Sequence, residues 1–368
     1  MPEYLIFKIA LSMIPGIGGV LARNLVSYCG SVEGIFSESK NNLMKIPGIG
    51  AVNASRIKSS NYLSRAEKEL YYIQENSVKT YFFSDPNYPR RLVNCNDAPI
   101  IIYTTGDFNF DMERVVSIVG TRNATDYGKE LCDSLIREMA EKNYKVLVVS
   151  GLAYGIDVQA HKSSLKYNIP TIGVLGHGLD KLYPAIHGLV AEKMVQHGGL
   201  VSDFPSGTKI DPQNFLQRNR IIAGLADATI VVESGVKGGA LVTADIAASY
   251  NRDVFAFPGR VGDSFSKGCN KLIKNHGAAL FEGINDLEYI MGWETGKTKP
   301  DAVQPSLFVD LTGKELDIYN LLKGKGDLFI DQICSEMKLP MGQVSSTLLE
   351  MEFDGIVIAL PGKMYRLK

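Results

Sequence analysis

The stretch FLQRNRIIAGLADATIVVESGVKGGALVT, residues 215–243, carries the clearest structural signal in this 368-residue chain. It predicts a helix, a buried strand at Ala228–Val232, a glycine-rich turn and a second helix, because a short apolar run bounded by turn residues is typical of a parallel-sheet strand. Arg218 and Arg220 precede the strand, and Gly238–Gly239 follows it. Guanidinium groups, glycine amides and a hydroxyl at a helix N-terminus all bind phosphate, so the stretch indicates a phosphate-binding edge.

Around this stretch, from residue 113 to about residue 290, apolar strands alternate with helical patterns. The alternation predicts an α/β fold with an extended Rossmann-like core, in which a mostly parallel sheet is covered by helices on both faces. Such sheets bind ligands outside the carboxyl ends of their strands. The predicted strands are Val115–Val119, Val146–Ser150, Thr171–Leu175, Leu200–Ser202, Ala228–Val232, Val254–Phe257 and Ala278–Phe281.

Glycine-rich loops follow four of the predicted strands. They are Gly120–Arg122, Ser150–Asp157, Gly176–Asp180 and the Gly238–Gly239 turn, which is followed by Thr243 in the next helix. Glycine allows the backbone to approach an anion closely, and the following helix adds its dipole. Because the carboxyl ends of parallel strands share one edge, the four loops predict a phosphate-lined groove, which we interpret as a site for a nucleic-acid strand.

An internal repeat marks residues 1–65 as a separate helical domain. Ile14–Gly18 and Ile46–Gly50 both read IPGIG, and each lies between two helical patterns. Proline ends the first helix, the glycines permit a tight hairpin, and the amides that begin the second helix can meet a phosphate. The repeat resembles tandem helix-hairpin-helix units, and it predicts a secondary DNA contact at Gly16, Gly18, Gly48 and Gly50. The alternative, that the hairpins only pack a small helical domain, stays open.

Residues 293–310 are polar and contain prolines, which indicates a linker between a core domain at 66–292 and a C-terminal domain at 311–368. In the C-terminal domain, three helical patterns and two short β segments are typical of a winged helix, which ordinarily binds DNA. The third helix, MGQVSSTLLEMEFD, has no Lys or Arg, and seven basic against eight acidic residues give the domain a net charge of −1. An adaptor that recruits proteins through this domain is therefore a further function class.

The net charge of the whole chain is −1, so nucleic-acid affinity requires a local basic pocket rather than global attraction.

No run of about eighteen apolar residues is present, which predicts no membrane span. The N-terminal apolar stretch contains Lys8 and lacks a preceding basic region, so we interpret it as a helix rather than a signal peptide. The five cysteines form no CxxC pair, which argues against a zinc cluster and favours the cytoplasm.

The competing function class is an enzyme. No GxGxxG follows the first predicted strand, which argues against a nicotinamide or flavin cofactor. Nucleotide-processing phosphoribohydrolases carry a motif that resembles PGGxGTxxE. The corresponding segment in this chain, KGGALVTAD, has no glutamate at that spacing. Asp157 and His161 are four residues apart on one helical face, a spacing compatible with acid–base chemistry, but such a pair more often supports a turn. We therefore predict a non-enzymatic protein with no cofactor and no metal.

From Tyr81 to Asp286 the sequence resembles the DNA-processing protein A (DprA/Smf) family of bacteria. The segments that carry the resemblance are VGTRNATDYG, SGLAYGIDVQAHKSSL, GVLGHGLDKLYP, FLQRNRIIAGLADATIVVE, GGALVTADIA, FAFPG and SKGCNKLI. The resemblance implies a protein that binds and protects single-stranded DNA and loads the RecA recombinase on it during natural transformation. It also implies a homodimer formed through the Rossmann-like core, and contacts with other DNA-uptake or single-strand-binding proteins.

The resemblance implies roles for individual residues as well. Arg122 of the GTR turn is expected to be a primary DNA contact, and Phe215 is expected to lie against a base. Arg218 and Arg220 of the RNR motif are expected to line the pocket, with Lys209 in the loop before it. The complete predicted DNA-binding set is Gly120, Thr121, Arg122, Gly151, Lys209, Phe215, Arg218, Asn219, Arg220, Gly238, Gly239 and Thr243.

Several of these assignments have structural alternatives. The arginines can form ion pairs inside the fold, with Asp203, Asp227 or Glu233 as the candidate partners. Phe215 can be an ordinary core residue, and Asn219 can bridge backbone groups. The chain also departs from the family pattern at FLQRNR, where a proline often precedes RNR, although this change removes no positive charge.

Overall fold

The computed structural model describes residues 2–293, residue 311 and residues 313–368. The chain divides into two compact units, Met1–Ile284 and Asn285–Lys368. Apart from Trp293, the predicted linker at residues 293–310 lies outside the described residues. Among the described residues, no helix combines the length and the apolar character that crossing a bilayer requires.

Six helices begin the first unit, and the two predicted hairpins lie between them. Gly16 and Gly48 occupy the same place in each turn, with left-handed φ values of +86° and +84°. In each turn the second isoleucine donates its N–H to the carbonyl oxygen of the first, at 3.1 Å in one hairpin and 3.0 Å in the other. The repeated sequence thus forms two equivalent turns, as predicted. The helices are α1 (Pro2–Met13), α2 (Gly19–Cys29), α3 (Val32–Ser37), α4 (Lys40–Leu43), α5 (Ala51–Ile57) and α6 (Asn61–Glu75).

A nine-stranded sheet forms the centre of the first unit. Its strands are β1 (Lys79–Phe82), β2 (Ile101–Gly106), β3 (Arg114–Val119), β4 (Val146–Ser150), β5 (Thr171–Val174), β6 (Gly198–Ser202), β7 (Ala228–Val231), β8 (Asp253–Ala256) and β9 (Ala279–Leu280). All seven predicted strands are present, each within two residues of its predicted bounds. The spatial order is β1-β2-β6-β5-β4-β3-β7-β8-β9. The neighbours from β6 to β9 pair in parallel, and β1 and β2 pair antiparallel at one end.

The strand order reverses at β3. From β3 the chain adds β4, β5 and β6 on one side, and then returns to place β7, β8 and β9 on the other side. The loops that follow β3 and β7 therefore leave neighbouring strands in a region where the connections diverge. An open parallel sheet forms a ligand-binding crevice at such a switch point.

Helices cover the sheet, and a side-chain cap fixes the first residue of the helix that carries the RNR motif. Asp211 caps the helix that carries the RNR motif, because its carboxylate accepts the Gln213 N–H at 2.8 Å, and Pro212 fits the first helical turn. These helices are α7 (Arg90–Val93), α8 (Asp126–Glu141), α9 (Ile156–Lys166), α10 (Gly188–Gln196), α11 (Pro212–Leu225), α12 (Gly239–Ser249) and α13 (Lys267–Lys274), with a 3-10 turn at Ala185–His187. The next helix, α14 (Ile284–Met291), begins at the last residue of the first unit and otherwise belongs to the second.

The N-terminal helices and the first two strands share one apolar core. Ile9 of α1 and Leu70 of α6 belong to the same buried cluster as Phe82 of β1 and Tyr103 of β2. A second link is polar. The carboxylate of the buried Glu69 on α6 accepts hydrogen bonds from the backbone N–H of Ser206 at 2.9 Å and from the Ser206 hydroxyl at 2.6 Å. The predicted helical domain is therefore packed firmly against the edge of the sheet.

The second unit contains the predicted winged helix. Its elements are α15 (Lys314–Lys325), β10 (Leu328–Phe329), α16 (Ile330–Met337), α17 (Met341–Phe353), β11 (Val357–Leu360) and β12 (Met364–Leu367). The three strands pair antiparallel in the order β10-β12-β11. Ile318, Ile333 and Leu348 bring the three helices into a common core. On α17, which lacks Lys and Arg, Leu349 and Phe353 are exposed.

Candidate nucleic-acid interface

The predicted loops meet at one edge of the sheet. This binding edge consists of the carboxyl ends of β3, β4, β5 and β7 together with the loops that follow them. Thr121 N–H donates to the carbonyl oxygen of Glu233 after β7 (2.8 Å), and the Thr121 carbonyl oxygen accepts from Ile156 N–H after β4 (3.2 Å). The backbone at Thr121 thus joins the loops after three strands, as the sequence predicted.

Arg122 is an exposed cation at the centre of the binding edge. Burial raises the pKa of the Asp157 carboxyl, and two nearby arginines oppose that rise. Arg218 opposes it more strongly, and the charge of Arg122 is also close enough to contribute. Thr121 is half-buried, and its hydroxyl accepts the Asn123 N–H at 3.2 Å, which holds the turn that carries Arg122. The turn therefore holds this arginine at the surface of the binding edge, between the loops after β4 and β7.

Arg218 has a different environment from the one predicted. It is 4% exposed, and its Nη1 lies 4.0 Å from Asp157 Oδ2 beneath the loop after β4. A Cβ added to Gly151 would lie 2.0 Å from Arg218 Nη1, so only glycine allows the loop to sit this close. Burial lowers the pKa of Arg218, and the neighbouring Asp157 opposes that change. Arg218 supports the binding edge from below and does not reach its surface.

Arg220 lies on another side of α11. Two residues along a helix are separated by about 200° around its axis, so Arg218 and Arg220 face away from each other. The Arg220 guanidinium donates to the Asp203 carboxylate and to the Asp97 carbonyl oxygen. The prediction that both arginines line one pocket is therefore corrected, and the alternative ion pair with Asp203 is the arrangement found. Asn219, between them, is buried.

Phe215 lies at the other end of the binding edge, near the loop after β5. Its ring is 6.4 Å from the His177 ring and 5.8 Å from the Tyr183 ring, and the residue is half-buried. The side chain is therefore neither an enclosed core residue nor a fully exposed one. Lys209, in the loop before α11, is exposed.

The glycine turn after β7 is only partly as predicted. Gly238 precedes the first residue of α12, Gly239, and no side chain caps this end of the helix. Thr243 was predicted to present its hydroxyl to a ligand, but the residue is 2% exposed and its hydroxyl donates to the Gly239 carbonyl oxygen at 3.2 Å. Thr243 therefore stabilises the first turn of α12 from within.

The two N-terminal hairpins differ in their surroundings. Arg23, on the helix that follows the first hairpin, donates to the carbonyl oxygen of Asn96 at 2.5 Å, which attaches that helix to the core. Arg56, after the second hairpin, donates to the carbonyl oxygen of Pro15 at 2.8 Å and so joins the hairpins to each other. Gly16, Gly18, Gly48 and Gly50 are all exposed.

His161 and Asp157 do not form an acid–base pair at the surface. His161 is fully buried; its neutral ring donates from Nε2 to the Gly151 carbonyl oxygen (2.6 Å) and accepts at Nδ1 from the Thr171 hydroxyl (2.7 Å). Burial lowers the pKa of His161 to about 4, which favours this neutral form. The pair therefore supports the loop after β4. Among the described residues, no group of three or more His, Cys, Asp or Glu side chains is placed to hold a metal ion.

Lys237 and Arg260 are exposed cations that the predicted DNA-binding set did not include. Lys237 lies in the loop after β7, and Arg260 lies in the loop after β8, so both extend the positive charge of the binding edge beyond Arg122. The signal that could have identified them is a basic residue adjacent to glycine (Gly238 and Gly259) in a loop that follows a parallel strand.

Three family models match successive parts of the chain. The model described as DNA recombination-mediator protein A matches residues 79–291, more than half of the chain. The chain belongs to this family. A SAM-like helix-hairpin-helix tandem matches residues 8–60, and a DprA winged helix domain matches residues 303–363. The resemblance recognised from the sequence motifs is thereby confirmed.

Curated relatives extend the similarity over two thirds of the chain or more. A putative DNA processing protein DprA of Mycobacterium tuberculosis is 36% identical over 272 residues, which cover 73% of this chain and 69% of that protein. Protein Smf of Synechocystis is 32% identical over 396 residues and spans 98% of each chain. DNA processing protein DprA of Bacillus subtilis is 34% identical over 252 residues, or 68% of this chain and 84% of that protein.

Two solved structures of this family share the fold. DNA processing protein A from Streptococcus pneumoniae superposes with a TM-score of 0.64 at 26% identity and covers 78% of this chain and 97% of its own. DNA processing protein A from Helicobacter pylori, whose structure concerns its single-stranded DNA binding mode, gives a TM-score of 0.53 at 28% identity. It covers 59% of this chain and 97% of its own.

Proposed function

We propose that this member of the DNA recombination-mediator protein A family binds single-stranded DNA along the binding edge. The observation that carries the proposal is the exposed Arg122 at the switch point of the sheet, between the loops that follow β4 and β7. A guanidinium group and glycine-rich backbone turns are groups that hold phosphate oxygens without regard to base sequence. The Helicobacter pylori relative, whose solved structure concerns single-stranded DNA binding, supports the same ligand class.

The contacts proposed for the strand fall into two groups. The exposed Arg122, Lys209, Lys237 and Arg260 would meet phosphates, together with the backbone of Gly120, Thr121, Gly238 and Gly239. Phe215 would lie against a base. Gly151, Arg218 and Asn219 would act indirectly, because Arg218 and Asn219 are buried and Gly151 packs on Arg218. Arg220 would have to leave Asp203 to meet DNA, so we assign it to the support of the pocket.

The first prediction concerns the ligand itself. Fluorescence anisotropy with a labelled oligo-dT and with a duplex of the same length should show tighter binding of the single strand. Affinity for the single strand should fall as salt rises, because phosphate contacts release counterions. An equal or greater affinity for the duplex would contradict the proposal, as would an isotherm that salt does not change. Release of a free base from nucleotides by the same preparation would instead favour a phosphoribohydrolase-like enzyme.

We further propose that the bound strand is passed to the RecA recombinase, and that the chain acts as a homodimer through its Rossmann-like core. The family description as a recombination mediator supports the first part. We expect added protein to shorten the delay before RecA filaments form on DNA covered by single-strand-binding protein. A delay of the same length with and without the protein would refute RecA loading. Sedimentation equilibrium measures the dimer directly.

A further inference from the structure

Two exposed tyrosines lie on the binding edge, and one of them, Tyr183, is beside Phe215. Tyr154, in the loop after β4, is 49% exposed, and Tyr183, in the loop after β5, is 46% exposed. Aromatic side chains with about half of their surface in water retain apolar area that a ligand can cover. Their position, at the carboxyl ends of adjacent parallel strands, is the place where this fold binds its ligands.

Buried and half-buried rings support both tyrosines from the side of the protein. Tyr154 packs on His187 in an edge-to-face arrangement, with 5.1 Å between the ring centroids. His187 is itself buried and donates from Nδ1 to the Leu152 carbonyl oxygen at 3.0 Å, which fixes its orientation. Tyr183 lies 5.8 Å from Phe215, which contacts His177 in turn. The rings are therefore held in place before any ligand arrives.

The tyrosines connect Arg122 with Phe215. Tyr154 is two residues before Ile156, whose N–H donates to the Thr121 carbonyl oxygen beside Arg122. At the other end, Tyr183 is four residues before His187, the ring on which Tyr154 packs. Taken strand by strand, Arg122 follows β3, Tyr154 follows β4 and Tyr183 follows β5, where it lies next to Phe215.

We propose that Tyr154, Tyr183 and Phe215 form an aromatic track on which successive bases of the single strand stack, while Arg122 holds the phosphates at one end. This inference rests on the proposed single-strand binding and assigns two residues to it. Stacking suits a protein that must accept any sequence, because each base offers a π face. The track would also give the expected preference for unpaired strands, because the bases of a duplex are already stacked on each other.

The test compares two ligands of equal charge, a dT oligonucleotide and an abasic oligonucleotide of the same length. The wild-type protein should bind dT more tightly than the abasic strand. Y154A and Y183A should each weaken dT binding by roughly 5- to 150-fold, the factor expected from loss of one stacked base, and should leave abasic binding unchanged. Y154F and Y183F, which keep the rings, should bind dT like the wild type.

The control is Y71A, which removes an exposed tyrosine that lies on α6 and donates to Glu75 of its own helix. It should leave both affinities unchanged, and thermal melting should show that all variants are folded. If Y154A and Y183A retain the full preference for dT over the abasic strand, the track is wrong while single-strand binding stands. If the wild-type protein binds neither oligonucleotide, both the track and the proposed function are wrong.

Discussion

Replacing Arg122 by alanine should weaken the binding of single-stranded DNA by roughly 10- to 150-fold, the effect of losing a charged hydrogen bond. Its exposed side chain forms no ion pair within the described part of the chain, so removing it should leave no buried charge behind. The negative slope of log affinity against log salt concentration should become shallower by about 0.7 for each phosphate contact removed. Anisotropy titrations over a range of salt concentrations measure both quantities.

R137A is the matched control for R122A. Arg137 is also an exposed arginine, but it lies on α8 with Glu141 as its neighbour at 3.7 Å. Its replacement should leave affinity and salt slope unchanged, and both variants should melt at the wild-type temperature. Equal effects of the two substitutions would show that only the overall charge matters. Unchanged affinity in R122A would remove Arg122 from the site.

The second large effect concerns stability. Asp157→Ala should lower the free energy of unfolding by about 3–5 kcal/mol, because it leaves the Arg218 charge buried without its carboxylate partner. Urea unfolding followed by circular dichroism measures this change. The double variant D157A/R218M should be more stable than D157A alone, because an apolar side chain of similar length replaces the stranded charge.

D126A provides the comparison for D157A, since Asp126 forms an exposed ion pair with Lys129 and its loss should leave the unfolding midpoint unchanged. A wild-type midpoint for D157A would show that the buried pair does not stabilise the fold. A double variant less stable than D157A would show that Arg218 has other essential partners.

Most of the fold followed from local sequence patterns. Seven strands separated by helical segments, and two copies of IPGIG, are signals contained within short stretches of chain, and they place the binding edge by the general rule for parallel sheets. The antiparallel strands β1 and β2 precede residue 113, where the alternation of predicted strands and helices begins. They extend the sheet because β2 pairs with β6, about a hundred residues later, and no local pattern encodes that pairing.

The site was less predictable than the fold because it depends on tertiary contacts. Helical geometry alone shows that Arg218 and Arg220 diverge, but which of them is buried depends on Asp157 and Asp203, on other elements. Thr243 had the right position at a helix start, yet its hydroxyl bonds within the helix. Tyr154 and Tyr183 lie in loops without periodicity, so only the folded chain places them on the binding edge, with Tyr183 beside Phe215.

The core shared by the N-terminal helices and the first two strands limits how this protein can be divided. A fragment that began near residue 66, where the sequence suggests a domain boundary, would leave Phe82 and Tyr103 facing water on an uncovered wall of the sheet. Recombinant truncations intended to isolate the central domain should therefore retain α1 to α6, because removing them would expose an apolar surface that promotes aggregation.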